Sequence, residues 1–140
     1  ENGRMEQFEV KGTKIVLNLA KNPAVFNQNI SAVMQDDSMK DVIIVINDNA
    51  QDGTDVSWLW DVDFDRFKGA NVNSITVSGI RCQDMRLRMK YVDIPSMLEA
   101  DVEKAIRERV EDGCGNLYVL VNYTALFSTR NVLKKMEEER

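Results

Sequence analysis

Residues 42–46 read Val-Ile-Ile-Val-Ile, and the polar run Asn-Asp-Asn-Ala-Gln-Asp-Gly-Thr-Asp follows at 47–55. Side chains alternate between the two faces of a strand, so a strand that is apolar throughout needs cover on both faces. A parallel sheet with helices on either side provides that cover. The stretch therefore predicts a central strand, Asp41 to Asn47, with a polar loop at its carboxyl end.

The rest of the chain alternates strands and helices around this centre. Lys11-Gly12 suits a hairpin turn, and Asn22-Pro23 suits the start of a helix. We predict strands at 4–10, 14–20, 41–47, 73–78, 94–98 and 117–121, and helices that begin near residues 22, 82, 101 and 124. The short connections favour an α/β fold: a Rossmann-like, mostly parallel sheet flanked by helices, with a short N-terminal β-hairpin.

Composition narrows the class of protein. The 140 residues are 44% hydrophobic and 29% charged, which is typical of a globular domain, and we expect one domain over 1–140. A net charge of −5 with scattered cations argues against nucleic acid as a partner. No apolar run is long enough for a transmembrane segment. Two cysteines, Cys82 and Cys114, are too few for a disulfide framework and predict unreactive thiols in the cytoplasm.

The sequence contains no histidine. It therefore provides neither a Ser-His nor a Cys-His catalytic pair, and no histidine-bearing zinc site. It also lacks the glycine-rich loops that cradle nucleotide phosphates. Any chemistry must rest on carboxylates, amides and cations, or be completed by another protein.

Ligands of parallel sheets gather where strands end, and three polar segments occupy such positions: 21–23, 48–55 and 122–124. The middle segment holds three carboxylates beside two tryptophans. Two interpretations stay open for it. The aspartates form turns, with Asp55 capping the next helix through Ser57. Alternatively, the long loop and the tryptophans form an interaction surface.

Other charged residues carry weaker signals. The cluster Asp61, Asp63 and Asp65 lacks the glycine and glutamate of a calcium loop, so we expect a solvated face and assign no metal ligand. Lys21 follows a buried strand, and it either meets a phosphate or is a surface lysine. Arg4 leaves the same two possibilities open.

A set of motifs, in order along nearly the whole chain, resembles the C-terminal domain of the Mur ligases, most closely of the MurT type. The motifs are Asn2-Gly3-Arg4-Met5, Leu19-Ala20-Lys21-Asn22-Pro23, Asn47-Asp48-Asn49, Asp52-Gly53-Thr54-Asp55-Val56-Ser57-Trp58, Trp60-Asp61-Val62-Asp63-Phe64, Ser78-Gly79-Ile80-Arg81, Arg86-Leu87-Arg88-Met89-Lys90 and Asn122-Tyr123-Thr124. The long loop joined to the tryptophans is the most specific part of this resemblance.

The resemblance implies a subunit of a lipid II isoglutaminyl synthase, which amidates the D-glutamate α-carboxylate of the lipid II stem peptide in peptidoglycan synthesis. It implies ATP and Mg²⁺ as cofactors of the parent protein, held by an upstream domain that residues 1–140 do not include. It also implies a GatD-like glutamine amidotransferase partner. We accordingly expect the isolated domain to be cytoplasmic, inactive alone and without a bound cofactor.

The resemblance also implies roles for residues. In this family an aspartate completes the Cys-His pair of the partner in trans, and the matched motif places it at Asp55, with Asp52 and Asp48 as alternatives. Nucleotide contacts are implied for Arg4, Lys21 and Asn22. We expect Trp58 and Trp60 at the partner interface.

The sequence departs from other Mur ligases at two places. It has Lys21 where they have the histidine of Asp-x-Ala-His-Asn-Pro, and Asp48-Asn49-Ala50-Gln51 where amino-acid-adding ligases have Asp-Asn-Pro-Arg. The missing arginine suits an acceptor as small as ammonia. The alternatives are a non-catalytic Rossmann-like binding module and an amino-acid-adding Mur ligase domain.

Overall fold

The computed structural model describes residues 4–49, 55–69 and 71–139. The strands described are β1 (Glu6–Val10), β2 (Thr13–Leu19), β3 (Lys40–Val45), β4 (Val72–Ser78), β5 (Met97–Leu98) and β6 (Asn116–Val121). The α-helices are α1 (Pro23–Gln35), α2 (Cys82–Tyr91), α3 (Val102–Glu111) and α4 (Tyr123–Glu138). Two short 3-10 helices, Ser57–Asp61 and Phe64–Phe67, lie between β3 and β4.

The strands form one sheet in the order β1-β2-β6-β3-β4-β5. Only β1 is antiparallel to its neighbour, and the other described strands pair in parallel. The predicted fold class, a mostly parallel sheet with an N-terminal hairpin, is confirmed. The predicted starts of two helices are also confirmed, since Asn22 caps α1 and Asp101 caps α3 through side-chain oxygens.

Helices cover both faces of the sheet. Val42, Ile44 and Ile46 pack in one core with α1, α2 and residues 55–67, which we call the tryptophan segment. Ile43 and Val45 pack in a second core with α3 and α4. Every residue of β3 is buried, so the apolar run lies at the covered centre of the sheet as predicted.

After β3 the chain continues on the face of the sheet covered by α1 and α2, and after the neighbouring strand β6 it continues on the face covered by α3 and α4. Where two adjacent parallel strands lead to opposite faces, a crevice forms at their carboxyl ends. One buried side chain bridges it. The Oδ1 of Asn122 accepts a hydrogen bond from the Asn47 N–H at 3.0 Å, and its Nδ2 donates to the Asn47 carbonyl at 2.7 Å. This bridge fixes where the segments after β3 and β6 begin.

Helix α4 covers the outer strand β1 as well. Arg130 makes a bidentate ion pair with Glu6, with distances of 2.8 and 2.6 Å. The side chain of Glu137 accepts a hydrogen bond from the backbone N–H of Glu9 at 2.8 Å. The free edge of β1 is thus occupied in part by side chains of the last helix.

At the amino ends of β3 and β6, Tyr118 donates a hydrogen bond to Asp36 at 2.7 Å, and Ser38 also donates to this carboxylate. Hydrogen bonds from Ser38 and Tyr118 lower the pKa of Asp36 to about 2. A carboxyl with a lowered pKa stabilises the fold above its ordinary pKa, and this contribution is lost as the pH falls toward 2.

We expect Tyr118→Phe to lower the free energy of unfolding by about 1.5 kcal/mol at pH 7, because it removes a hydrogen bond to a charged but partly exposed group. The difference from wild type should shrink at pH 2, where Asp36 takes up a proton. Urea unfolding of both proteins at the two pH values measures this. A difference that does not depend on pH would contradict an origin in the ionised Asp36.

Candidate functional site

The carboxyl edge of the sheet collects most of the residues predicted to be functional. Strands β2, β6, β3 and β4 run in parallel and end there. Lys21 follows β2, Asn47 to Asn49 follow β3, Arg81 follows β4, and Thr124 follows β6. The amide of Asn49 donates to the Thr124 hydroxyl at 2.9 Å, so the segments after β3 and β6 touch.

Asp55 presents an exposed carboxylate near this edge. Its Oδ1 accepts a hydrogen bond from the backbone N–H of Ser57 at 2.9 Å. Hydrogen bonds from the backbone and side chain of Ser57 hold the pKa of Asp55 below its usual range, and the positive charge of Arg81 adds to this. The predicted hydrogen bond to Ser57 is therefore present, but it forms a local turn and not a helix cap, since Val56 is the N-cap residue of the 3-10 helix. The bond orients the carboxylate without burying it.

A surface cleft of about 270 Å³ adjoins Asp55. Its lining is Asp55, Val56, Ser57, Leu59, Trp60, Arg81, Asp84 and Leu87. Arg81 donates to Asp84 at 2.7 Å and to Asp48 at 3.3 Å. Of the three aspartates proposed from the sequence, Asp48 and Asp55 thus lie near one guanidinium, and Asp52 lies outside the described residues.

The two tryptophans have different environments. Trp58 is half-buried and packs against Phe26, with ring centroids 6.3 Å apart. Trp60 is 44% exposed and packs edge-to-face on Tyr91, with centroids 4.8 Å apart. Of the two tryptophans, Trp60 presents its ring to solvent, whereas Trp58 packs against the core.

Arg88 holds the tryptophan segment against α2, and the sequence analysis assigned it no role. Its guanidinium is buried and donates to the carbonyls of Leu59 at 3.0 Å and Val62 at 2.7 Å. It also lies 5.1 Å from the ring centroid of Trp60. Desolvation lowers the pKa of Arg88, although the nearby Asp65 and Asp63 oppose this shift.

An apolar surface borders the cleft. Leu87 and Tyr91 are exposed and lie four residues apart on α2; Leu87 lines the cleft together with Trp60, and Tyr91 packs on the Trp60 ring. We call Trp60, Leu87 and Tyr91 the α2 patch. This patch is hard to see in the sequence, because the inward stripe of Cys82, Met85 and Met89 dominates the helical pattern. The spacing of four residues between Leu87 and Tyr91 was the available signal.

The proposed nucleotide contacts lie on the other side of this edge. The antiparallel pairing of β1 with β2 brings Arg4, two residues before β1, to the level where β2 ends and Lys21 follows. Both cations are exposed. Asn22 accepts a hydrogen bond from the Val25 N–H at 2.9 Å, so its side chain serves the helix cap. The exposed cations of Arg4 and Lys21 suit a phosphate. The side-chain oxygen of Asn22 already accepts the helix-capping hydrogen bond.

The remaining acidic and cysteine residues considered in the sequence do not form a site among the described residues. Asp61, Asp63 and Asp65 are exposed, and within 4–49, 55–69 and 71–139 no group of three acidic or cysteine side chains is placed to hold a metal ion. Cys82 is buried, and burial raises the pKa of the Cys114 thiol to about 12. None of the helices in those ranges combines the length and apolar character that crossing a membrane requires.

Comparisons with known proteins agree with this geometry. The profile of the MurT ligase C-terminal family matches residues 19–126. The chain is 38% identical over 128 residues to the subunit MurT of a lipid II isoglutaminyl synthase (glutamine-hydrolyzing) from Staphylococcus aureus. That match covers 90% of this chain and 29% of the relative, so the chain spans less than a third of the relative's length.

Solved structures share the fold at low sequence identity. A folylpolyglutamate synthase from Thermotoga maritima superposes with a TM-score of 0.64 at 18% identity, covering 96% of this chain and 31% of that one. A MurF ligase from the same organism, solved in complex with ADP, gives 0.60 at 16% identity over 99% and 32%. The family profile covers most of the sequence and the fold agrees with it, so the chain belongs to the MurT ligase C-terminal family.

Proposed function

We propose that this chain is the C-terminal domain of an ATP-dependent amide ligase that works with a glutamine amidotransferase. In this proposal the complex amidates the D-glutamate α-carboxylate of the lipid II stem peptide in the cytoplasm, and residues 1–140 form one domain of a longer protein. Family membership and the name of the Staphylococcus aureus relative support the proposal. The observation that carries it is an exposed, oriented Asp55 carboxylate in a chain without histidine.

Asp55 would act on a histidine of the partner. A Cys-His pair needs a third group that fixes the imidazole tautomer and stabilises its charged form. An ionised carboxylate does this by accepting the Nδ1–H of the ring. The lowered pKa of Asp55 keeps it ionised at neutral pH, and its exposure leaves it within reach of another protein.

The α2 patch would be the docking surface for the partner. It borders the cleft that Asp55 lines, so a protein seated on Trp60 and Leu87 would lie next to the carboxylate. Aromatic side chains such as Trp60 and Tyr91 are among those that dominate the binding energy of protein interfaces. Trp60 is pre-oriented by Tyr91 and Arg88, which lowers the entropy lost on binding.

ATP and Mg²⁺ would be held mainly by the rest of the parent protein. ATP supplies the activation of the acceptor carboxylate. The contribution of this domain would come from Arg4 and Lys21, whose exposed cations at the carboxyl edge suit phosphate oxygens. The ADP in the MurF ligase of the same fold agrees with nucleotide use in such proteins.

We expect Trp60→Ala in the parent protein to weaken binding to the amidotransferase by about 30-fold, the effect of losing an anchor of about 2 kcal/mol. Isothermal titration calorimetry measures the dissociation constant. Phe127→Ala is the matched control, because Phe127 is 49% exposed but lies on α4 in the other layer. Equal affinity of the Trp60 variant and the wild type would exclude the α2 patch as the docking surface.

The function itself is tested by the source of the amide nitrogen. The parent protein with its partner should amidate lipid II with glutamine, and the parent protein alone should do so only with ammonium. ATP turnover that depends on a free amino acid would instead identify an amino-acid-adding ligase.

A further inference from the structure

Arg81 occupies a rigid position beside Asp55. Its backbone N–H donates to the Ile46 carbonyl at 2.9 Å, and the N–H of Ile80 donates to the Asn47 side chain at 3.0 Å. These bonds attach the turn after β4 to the end of β3. The Arg81 guanidinium therefore extends from a fixed base at the carboxyl edge.

This guanidinium joins two elements. Its Nε donates to Asp84 in the first turn of α2 at 2.7 Å, and its Nη1 lies 3.3 Å from Asp48 in the segment after β3. The side chains of Arg81 and Asp48 are 27% and 31% exposed, so water screens this pair less than it screens pairs on the open surface, whereas Asp84 is 46% exposed. Asp48 lies just after β3, so the bridge ties the carboxyl end of β3 to the first turn of α2.

Arg81 also balances charge in the cleft. Asp48 and Asp84 pair with it directly, and Asp55 shares the cleft with Arg81 and Asp84. Without the guanidinium, Asp55 and Asp84 would share the cleft as two like charges, which repel one another. That repulsion would move the Asp55 carboxylate from its orientation.

We infer that Arg81 is a positioning residue for glutamine hydrolysis, acting through Asp55 and touching no reacting atom. This inference rests on the proposed function of Asp55. Arg81 ties Asp48 to Asp84 at the start of α2, and its guanidinium lines the cleft beside the Asp55 carboxylate. The partner histidine then meets a carboxylate that is already oriented.

The test uses the complete parent protein in complex with its amidotransferase. Arg81→Gln should lower kcat for glutamine hydrolysis by about 10- to 100-fold, the cost of misplacing a catalytic group by about 1 Å. KM for glutamine and amidation with free ammonium should stay within twofold of wild type, because the bond-forming site is separate. Arg81→Lys keeps the positive charge but cannot donate to both carboxylates through a guanidinium, so its kcat should lie between those of Arg81→Gln and the wild type. Arg86→Gln, an exposed arginine of the same helix, should be unchanged.

A double variant separates this inference from the proposed function. If Arg81 acts through Asp55, Arg81→Gln combined with Asp55→Asn should be no slower than Asp55→Asn alone. Additive losses would overturn the inference, and so would an equal loss with glutamine and with ammonium. An Arg81→Gln rate within twofold of wild type, beside an inactive Asp55→Asn, would overturn it while leaving the role of Asp55 intact. An active Asp55→Asn would instead remove the proposed function.

Discussion

Asp55→Asn in the parent protein should nearly abolish glutamine hydrolysis by the complex. The asparagine amide carries no charge and presents the partner imidazole with the wrong hydrogen-bond pattern. Replacing the orienting aspartate of a serine protease triad in this way lowers kcat by about 10,000-fold, and we expect a loss approaching that size. The fold should persist, because the asparagine oxygen still accepts the hydrogen bond from the Ser57 N–H.

The measurement is the release of glutamate from glutamine, with complex formation followed by size-exclusion chromatography. Asp61→Asn serves as the control, since Asp61 is an exposed aspartate of the same segment. Asp48→Asn and Asp52→Asn test the two alternatives. If Asp55→Asn retains full glutaminase activity while one of those variants loses it, the catalytic carboxylate is that other residue.

Gly79→Ala should destabilise the domain by about 3 kcal/mol or more. Gly79 has a φ of +88°, a conformation that residues with a side chain rarely adopt. An added Cβ would also lie 2.7 Å from the Ile46 carbonyl oxygen and 2.8 Å from the Asn47 side-chain oxygen. Both neighbours are held by hydrogen bonds to residues 80 and 81, so they cannot move aside cheaply.

Urea unfolding followed by circular dichroism measures the effect on stability. Gly113→Ala separates the two causes, because Gly113 has a φ of +84° but open space where its Cβ would be. We expect that variant to lose only about 1 kcal/mol, the cost of the backbone conformation alone. Equal losses at the two positions would mean that the close contact at Gly79 is relieved by relaxation.

The sequence was sufficient to predict the framework of the fold. Five β-branched residues in a row required a doubly covered strand, and β3 lies at that place with every residue buried. Asn22-Pro23 and Asp101 marked helix starts through local hydrogen bonding, which does not depend on the rest of the molecule. Asp55 and its bond to Ser57 were predicted for the same reason.

The arrangement around Asp55 could not be predicted in the same way. Arg88 appears in the sequence as one of several charges on α2, and only tertiary packing turns its guanidinium inward to the Leu59 and Val62 carbonyls. The pairing of Arg81 with Asp48 joins residues 33 positions apart, and no local pattern indicates it. The different burial of Trp58 and Trp60 likewise depends on which of them faces Phe26.

The two edge strands of the sheet, β1 and β5, offer little unpaired backbone to a second copy of the chain. An unpaired strand edge is a template on which another chain can extend the sheet, and long flat edges lead to aggregates. Here β5 offers only two residues at one rim, and at the other the Glu137 carboxylate already takes the Glu9 N–H. A second copy should therefore find little room to extend the sheet at either edge strand.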